Sequence, residues 1–187
     1  MRIVAGAKRG LRLAAIGKGD ASAHLRPTPD RVRESLFNIL ASGRYGDPVA
    51  GARVLDLFAG TGALGFEALS RGAAHVTFVD DGARARALIR ENTALMQAGG
   101  QVKLFRRDAT RLGQNHAAPF TLVFLDPPYR QQLGERALAS ARAGQWLAPG
   151  AIIVWEEHAP QTAPDGFAFL DTRRYGDTHI TILEYTP

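Results

Sequence analysis

The 187-residue chain contains no cysteine, and that single absence excludes disulfides and thiolate metal sites together. A reducing cytoplasm is the expected home. No apolar run approaches the roughly 20 residues that span a bilayer. Met1 to Leu13 alternates basic and small residues and lacks the apolar core of a secretion signal. The five histidines, His24, His75, His116, His158 and His179, have no ligand spacing, so no metal is expected. Internal repeats and low-complexity tracts are missing as well. What remains, 45% apolar and 22% charged, fits one globular domain with a full core.

Acidic residues are scarce at one end. Residues 1–33 hold eight basic side chains (Arg2, Lys8, Arg9, Arg12, Lys18, Arg26, Arg31 and Arg33) against Asp20 and Asp30, whereas the rest of the chain is close to neutral. A basic arm on a neutral body is the footprint of polyanion binding, most often nucleic acid. A solvated terminus without a partner is the competing account.

The pattern divides the chain into a basic hairpin or arm (1–25), a helix with a linker (26–50) and an α/β core (51–187). Arg2 to Ala5 and Leu11 to Ala14 pair around Gly6 to Gly10, with a loop through residue 23. Thr28 reads as a helix N-cap with Pro29 in the first helical position, ahead of Val32, Leu36, Ile39 and Leu40 at helical spacing; Arg31, Arg33 and Glu34 take the polar positions. Strands are predicted at Val54 to Phe58, His75 to Val79, Gln101 to Phe105, Phe120 to Leu125 and Ala151 to Trp155. Helices follow at Leu64 to Ser70, Ala83 to Gln97 and Leu133 to Ala143, and a final hairpin spans Phe167 to Tyr185, turning at Tyr175 to Asp177. Such alternation predicts a doubly wound, mostly parallel sheet with an antiparallel hairpin at one edge.

Two turns carry chemistry. Gly60, Gly62 and Gly65 match G-x-G-x-x-G between a strand and a helix, with Asp80 about twenty residues on, as a dinucleotide site requires. Asp56, however, ends the preceding strand. Its carboxylate repels a pyrophosphate and attracts the ammonium and sulfonium of S-adenosylmethionine. Gly60 and Gly62 then admit the methionyl part, Asp80 accepts from the ribose diol, and Asp108 accepts from the adenine amino group. Each aspartate has a plainer role open to it: Asp56 as a helix cap, Asp108 as a turn residue, and Asp81 as the next cap.

The second turn, Asp126 Pro127 Pro128 Tyr129, closes the apolar strand that begins at Phe120. Its prolines stiffen the backbone, so Asp126 and a neighbouring carbonyl are fixed acceptors for an exocyclic amino group while Tyr129 offers a stacking face. This is a pocket for a flipped-out, amino-bearing base. Glu156 and Glu157 read as a solvated strand end, and Trp146 and Trp155 as packing.

The Asp-Pro-Pro-Tyr turn resembles the signature of methyltransferases acting on amino groups of bases. With Arg2 to Gly6, Arg26 to Glu34, Phe37, Asn38, Val54 to Gly65, Glu67 to Ala73 and Tyr175 to Thr178, the chain resembles the RsmD family over nearly its full length. The resemblance implies a Rossmann-like class I S-adenosylmethionine-dependent methyltransferase fold with a basic N-terminal extension. It also implies transfer to guanine N2 of 16S ribosomal RNA, free or in a partly assembled small subunit, without metal or membrane. Asp126, Pro127 and Tyr129 would then be catalytic; Asp56, Phe58, Gly60, Gly62, Asp80 and Asp108 would hold the cofactor; Arg9, Arg12, Arg26, Arg31 and Arg33 would hold RNA phosphates. Asp80 departs from the family, which more often has glutamate there. Transfer to adenine N6 of another nucleic acid, an NAD-dependent oxidoreductase and a non-catalytic RNA-binding module remain open on the residues alone.

Overall fold

The structure is a computed structural model that describes residues 1–15, 29–128 and 131–187. Arg53–Leu57 (β1), His75–Val79 (β2), Val102–Phe105 (β3), Phe120–Leu125 (β4) and Leu147–Glu157 (β5) run parallel. Phe167–Tyr175 (β6) and Thr178–Tyr185 (β7) form a hairpin whose second strand inserts antiparallel beside β5. The resulting order is β3-β2-β1-β4-β5-β7-β6. Apolar strands such as Val54-Leu55 and Leu122 to Leu125 are buried on both faces because helices cover both. On one face Val54, Phe78 and Phe124 pack with Asp30–Leu40 (α1), Ala63–Ser70 (α2) and Ala83–Met96 (α3). On the other, Leu55, Val123 and Trp155 pack with Leu133–Ala143 (α4), and Trp146 joins them.

The sequence expectations fail in instructive places. β5 begins at Leu147, not Ala151: Pro149 and Gly150 suggest a break, but the ladder absorbs them through a register shift opposite Phe120 and Leu122. In α1, Pro29 stands at the cap with an extended ψ of 145° instead of opening the helix, and Thr28 lies outside the described residues. The buried stripe of that helix is Arg33, Leu36, Phe37 and Leu40, so Val32 and Ile39 lie only at its flanks. Arg33 is 1% exposed, yet its guanidinium is matched by Asp30 at 2.7 Å and by the Arg2 carbonyl. The expectation that Arg33 contacts RNA is corrected accordingly: an enclosed, paired guanidinium serves the fold.

Residues 1–15 are docked on the core. The Ile3 amide donates to the Leu11 carbonyl and the Ile3 carbonyl accepts from the Gly10 amide, the Leu13 amide donates to the Met1 carbonyl, Arg2 bridges Arg12, and Ile3 and Leu13 are buried. Glu67, fully buried on α2, accepts from the Val4 and Ala5 amides at 2.8 and 3.0 Å and from Arg71 Nε at 2.8 Å. The Arg71 guanidinium then covers the Phe37 ring at 4.8 Å, so one carboxylate links the hairpin, α2 and α1. Ser70 receives Lys8 N–H and donates to the Ala5 carbonyl. Gly6 passes so close, with φ of 81°, that a Cβ there would meet the Ser70 carbonyl at 1.8 Å.

Replacing Glu67 with alanine leaves two amides and a half-buried guanidinium without their acceptor. We expect a loss of about 3 to 5 kcal/mol in urea unfolding, with Glu67→Gln losing less because an acceptor oxygen remains. A loss within the roughly 0.5 kcal/mol of an ordinary surface change would disprove the anchoring role.

Candidate functional site

The strand order reverses between β1 and β4, and a crevice must open at their C-terminal ends. Leu57 pairs with Leu125, which sets Phe58 beside Asp126; the Asp126 amide continues the ladder to the Leu57 carbonyl at 3.4 Å. Both chemistry-bearing turns therefore begin at one point. Phe58 has φ of 57°, a left-handed conformation uncommon for a bulky residue, and Gly60 follows at 55°. The strained backbone wraps the end of β1 toward β2.

Asp80 fastens that wrap. Its two carboxylate oxygens accept from the Gly60 amide at 2.9 Å and the Gly82 amide at 2.8 Å. A carboxylate has about four acceptor positions, so Asp80 keeps capacity for further donors. Asp56 is buried at 3% exposure and accepts from the Gly65 amide at 3.1 Å, in the first turn of α2. It thus caps α2 from across the turn. Gly62 is also explained from within: φ is 77°, and a Cβ would stand 2.7 Å from the Phe66 ring. Helix packing thus makes its own demand on this position, beside the ligand approach expected of it.

Carboxylates dominate the electrostatics here. Burial pushes the Asp56 pKa well above the ordinary value, with Asp80 adding and the Gly65 amide opposing. Burial likewise raises Asp80, against the Gly60 and Gly82 amides. Asp126 is raised well above the carboxylate range by burial first and then by Glu156, Asp56 and Glu157. Asp56, Asp80 and Asp126 thus form one interacting set. Asp108 behaves differently: the Thr110 hydroxyl and amide, at 2.7 and 2.8 Å, hold its pKa down, and its charged neighbours are Arg111 and Arg136. It caps a short 3-10 turn at Ala109–Arg111.

Pro127 is buried and Pro128 exposed, while Tyr129 and Arg26 lie outside the described residues. Arg9, Arg12 and Arg31 are exposed. The residues that sequence reasoning undervalued are Glu156 and Glu157. Glu157 is 7% exposed, accepts from the His158 amide at 2.9 Å and pairs with its ring at 2.7 Å, so a solvated strand end is the wrong description. Their position at the C-terminal end of a strand next to β4 was the available signal. Among the described residues, no group of three or more His, Asp or Glu side chains is arranged for a metal.

Comparison with known proteins places these features in context. The family model described as Conserved hypothetical protein 95 matches residues 1–184. Ribosomal RNA small subunit methyltransferase D of Escherichia coli K12 is 39% identical over 165 residues, 88% of this chain and 78% of the relative. Its namesake in Haemophilus influenzae is 37% identical over 182 residues, covering 94% and 89%. The solved structure of Escherichia coli yhhF aligns with a TM-score of 0.81 at 33% identity, covering 100% of this chain and 98% of that one.

A carboxyl whose pKa is raised by folding binds its proton more tightly in the native state, so ionising it costs stability. The cost is absent below the unfolded-state value and grows as pH rises from there to the raised native value. Asp126→Asn is therefore expected to melt higher than wild type at pH 7, with the difference closing as pH falls toward about 4. Thermal melts across that range test this, and an asparagine variant less stable at pH 7 would count against it.

Proposed function

The chain belongs to the RsmD family and has the Rossmann-like fold of class I methyltransferases, and from that premise we propose that it methylates guanine N2 in small-subunit ribosomal RNA with S-adenosylmethionine. The observation that carries the reading is the meeting of the Asp126 turn with the glycine turn at the β1/β4 crevice. Names borne by the relatives supply the ribosomal substrate; the site supplies the chemistry.

The residues present fit such a cofactor. Repelling carboxylates at the ends of β1, β2 and β4 make a strongly cation-seeking cradle, which disfavours the pyrophosphate of NAD. Asp80 holds the turn and keeps acceptor capacity for a ribose, while Asp56 keeps the first turn of α2 in place. When bound, S-adenosylmethionine supplies a methyl group activated by the positive sulfur. Asp108, which already accepts from Thr110, is assigned the adenine amino group from its location just past β3.

Guanine N2 is a weak nucleophile because its lone pair is delocalised into the ring, so orientation contributes much of the rate. Asp126 and the Pro127 carbonyl accept the two N–H bonds and aim the nitrogen, and Tyr129 stacks on the ring. With its pKa raised, Asp126 is a stronger base than an ordinary carboxylate and takes the proton shed on N-methylation. Arg9, Arg12, Arg26 and Arg31 hold phosphates, with Arg33 removed from that group by its burial.

Tritiated methyl transfer to ribosomal RNA and to partly assembled small subunits, followed by nucleoside analysis, tests the proposal. Wild type is expected to yield N2-methylguanine, with Asp126→Ala at least about a hundredfold slower while cofactor affinity holds within a few fold. N6-methyladenine in the product would keep the chemistry and replace the base, and cofactor binding without transfer to either substrate would reduce the protein to an RNA-binding module.

A further inference from the structure

A second basic surface lies on α1 and the edge strand β6, apart from the N-terminal hairpin. Arg31, Glu34 and Asn38 of α1 face Arg173 of β6 across a groove of about 430 Å³, with Arg44 at its end. Arg31, Arg44 and Arg173 are all exposed. Three guanidiniums thus share one cleft whose wall carries a single carboxylate, Glu34. Asp171 stands behind, 3.3 Å from Arg44 Nη1 and 2.9 Å from Arg173 Nη2, and it also accepts from the Tyr45 hydroxyl at 3.2 Å. One carboxylate between two arginines orients them and leaves most of their five N–H donors each unused. The walls are joined, because the Ser35 and Tyr175 hydroxyls lie 2.9 Å apart between α1 and β6.

The groove continues the hairpin's charge. Arg2 bridges Arg12 within the hairpin, and its guanidinium reaches Asp30, the residue before Arg31. Arg173 is in register with Ile180 of β7, which faces Glu156 of β5. Two strand spacings, about 10 Å, therefore separate Arg173 from the carboxylates around Asp126. The basic path passes the reactive crevice without entering it.

We propose that this groove is a second phosphate track, which carries the RNA backbone past the side of the active site remote from the glycine turn through Arg31, Arg44 and Arg173. The proposal rests on the RNA-methyltransferase reading above. Planar guanidiniums presented along a cleft suit phosphodiester oxygens, which they engage two at a time.

The test is binding of a ribosomal RNA fragment by fluorescence anisotropy across a salt series, alongside calorimetric S-adenosylmethionine binding and methyl transfer. Arg31→Gln with Arg173→Gln is expected to weaken RNA binding at least about tenfold at low salt and to reduce the slope of log affinity against log salt by about 1.5 to 2. Cofactor affinity stays unchanged. Arg174 is the control: it is exposed, bonds the Gly176 carbonyl, and points from the opposite face of β6, so Arg174→Gln removes the same charge outside the groove. An equal effect from Arg174→Gln would reduce the result to net charge and overturn the track. Normal RNA binding by the double variant, with wild type transferring methyl groups, would overturn the track and leave the enzyme reading standing; failure of wild type to bind or methylate any RNA would remove both. Weakened binding to subunit particles with intact binding to naked RNA would replace the phosphate track with an acidic protein surface. Because Arg173 also braces Asp171, Arg31→Gln alone, expected to lower the salt slope by about one, keeps the test decisive if the double variant does not fold.

Discussion

Repulsion among carboxylates at the C-terminal edge of the sheet is the constraint on which the site depends. Asp126 feels Glu156, Asp56 and Glu157, and Asp56 in turn feels Asp80. Three of them are met by a backbone amide or a neighbouring base: Gly65 at Asp56, Gly60 and Gly82 at Asp80, His158 at Glu157. Those amides belong to the turns that shape the crevice. The same bonds that make the negative charge bearable therefore fix the path of the glycine turn, including the left-handed Phe58. Strain and charge are held by one network, and a cation in the crevice relieves both the repulsion and the cost of burial.

A second network of buried polar groups ties the chain's first residues to that turn. Asn92, fully buried on α3, accepts from the Ala14 amide at 2.7 Å and donates to the carbonyls of Ala14 at 3.2 Å and Thr61 at 3.1 Å. Thr61 sits between Gly60 and Gly62, and its hydroxyl reaches the Met1 sulfur at 3.5 Å. With Glu67 and Ser70 holding Val4, Ala5 and Lys8, the hairpin is fastened at both ends. The basic residues it carries are therefore presented from a fixed scaffold, so on the proposed reading the ordering cost of binding RNA is small for residues 1–15.

The sheet was legible because its signal is local. β2, β4 and α4 fall where apolar runs and turn residues put them, and the Asp-Pro-Pro turn could be assigned to a strand end by proline chemistry alone. What escaped was every polar residue whose partner is distant in sequence. Glu67 looks like an exposed helical glutamate until Val4 and Ala5 arrive from more than sixty positions away. Arg33 appears to be surface charge for the same reason, although Asp30 beside it offered a hint. Burial of such groups is decided by whether a donor or acceptor is delivered by the fold, and periodicity does not report that. The glycines show that one motif can answer two demands: residues assigned to a ligand also answer to the Phe66 ring and to their own φ.

The distribution of charge then explains how a polyanion can serve as substrate of an acidic site. Phosphates are repelled by the carboxylates of the crevice and attracted by the exposed guanidiniums of Arg9, Arg12 and Arg31. Over the roughly 8 Å at which physiological salt screens exposed charges, backbone and crevice are kept apart. A neutral base carries no such penalty, and its amino group is a donor that the carboxylate edge welcomes. On the proposed reading, the electrostatics sorts the two halves of a nucleotide: the phosphate stays with the exposed arginines while the base turns inward to Asp126. Repulsion of the backbone then adds to the contacts with the base in favouring its extrusion.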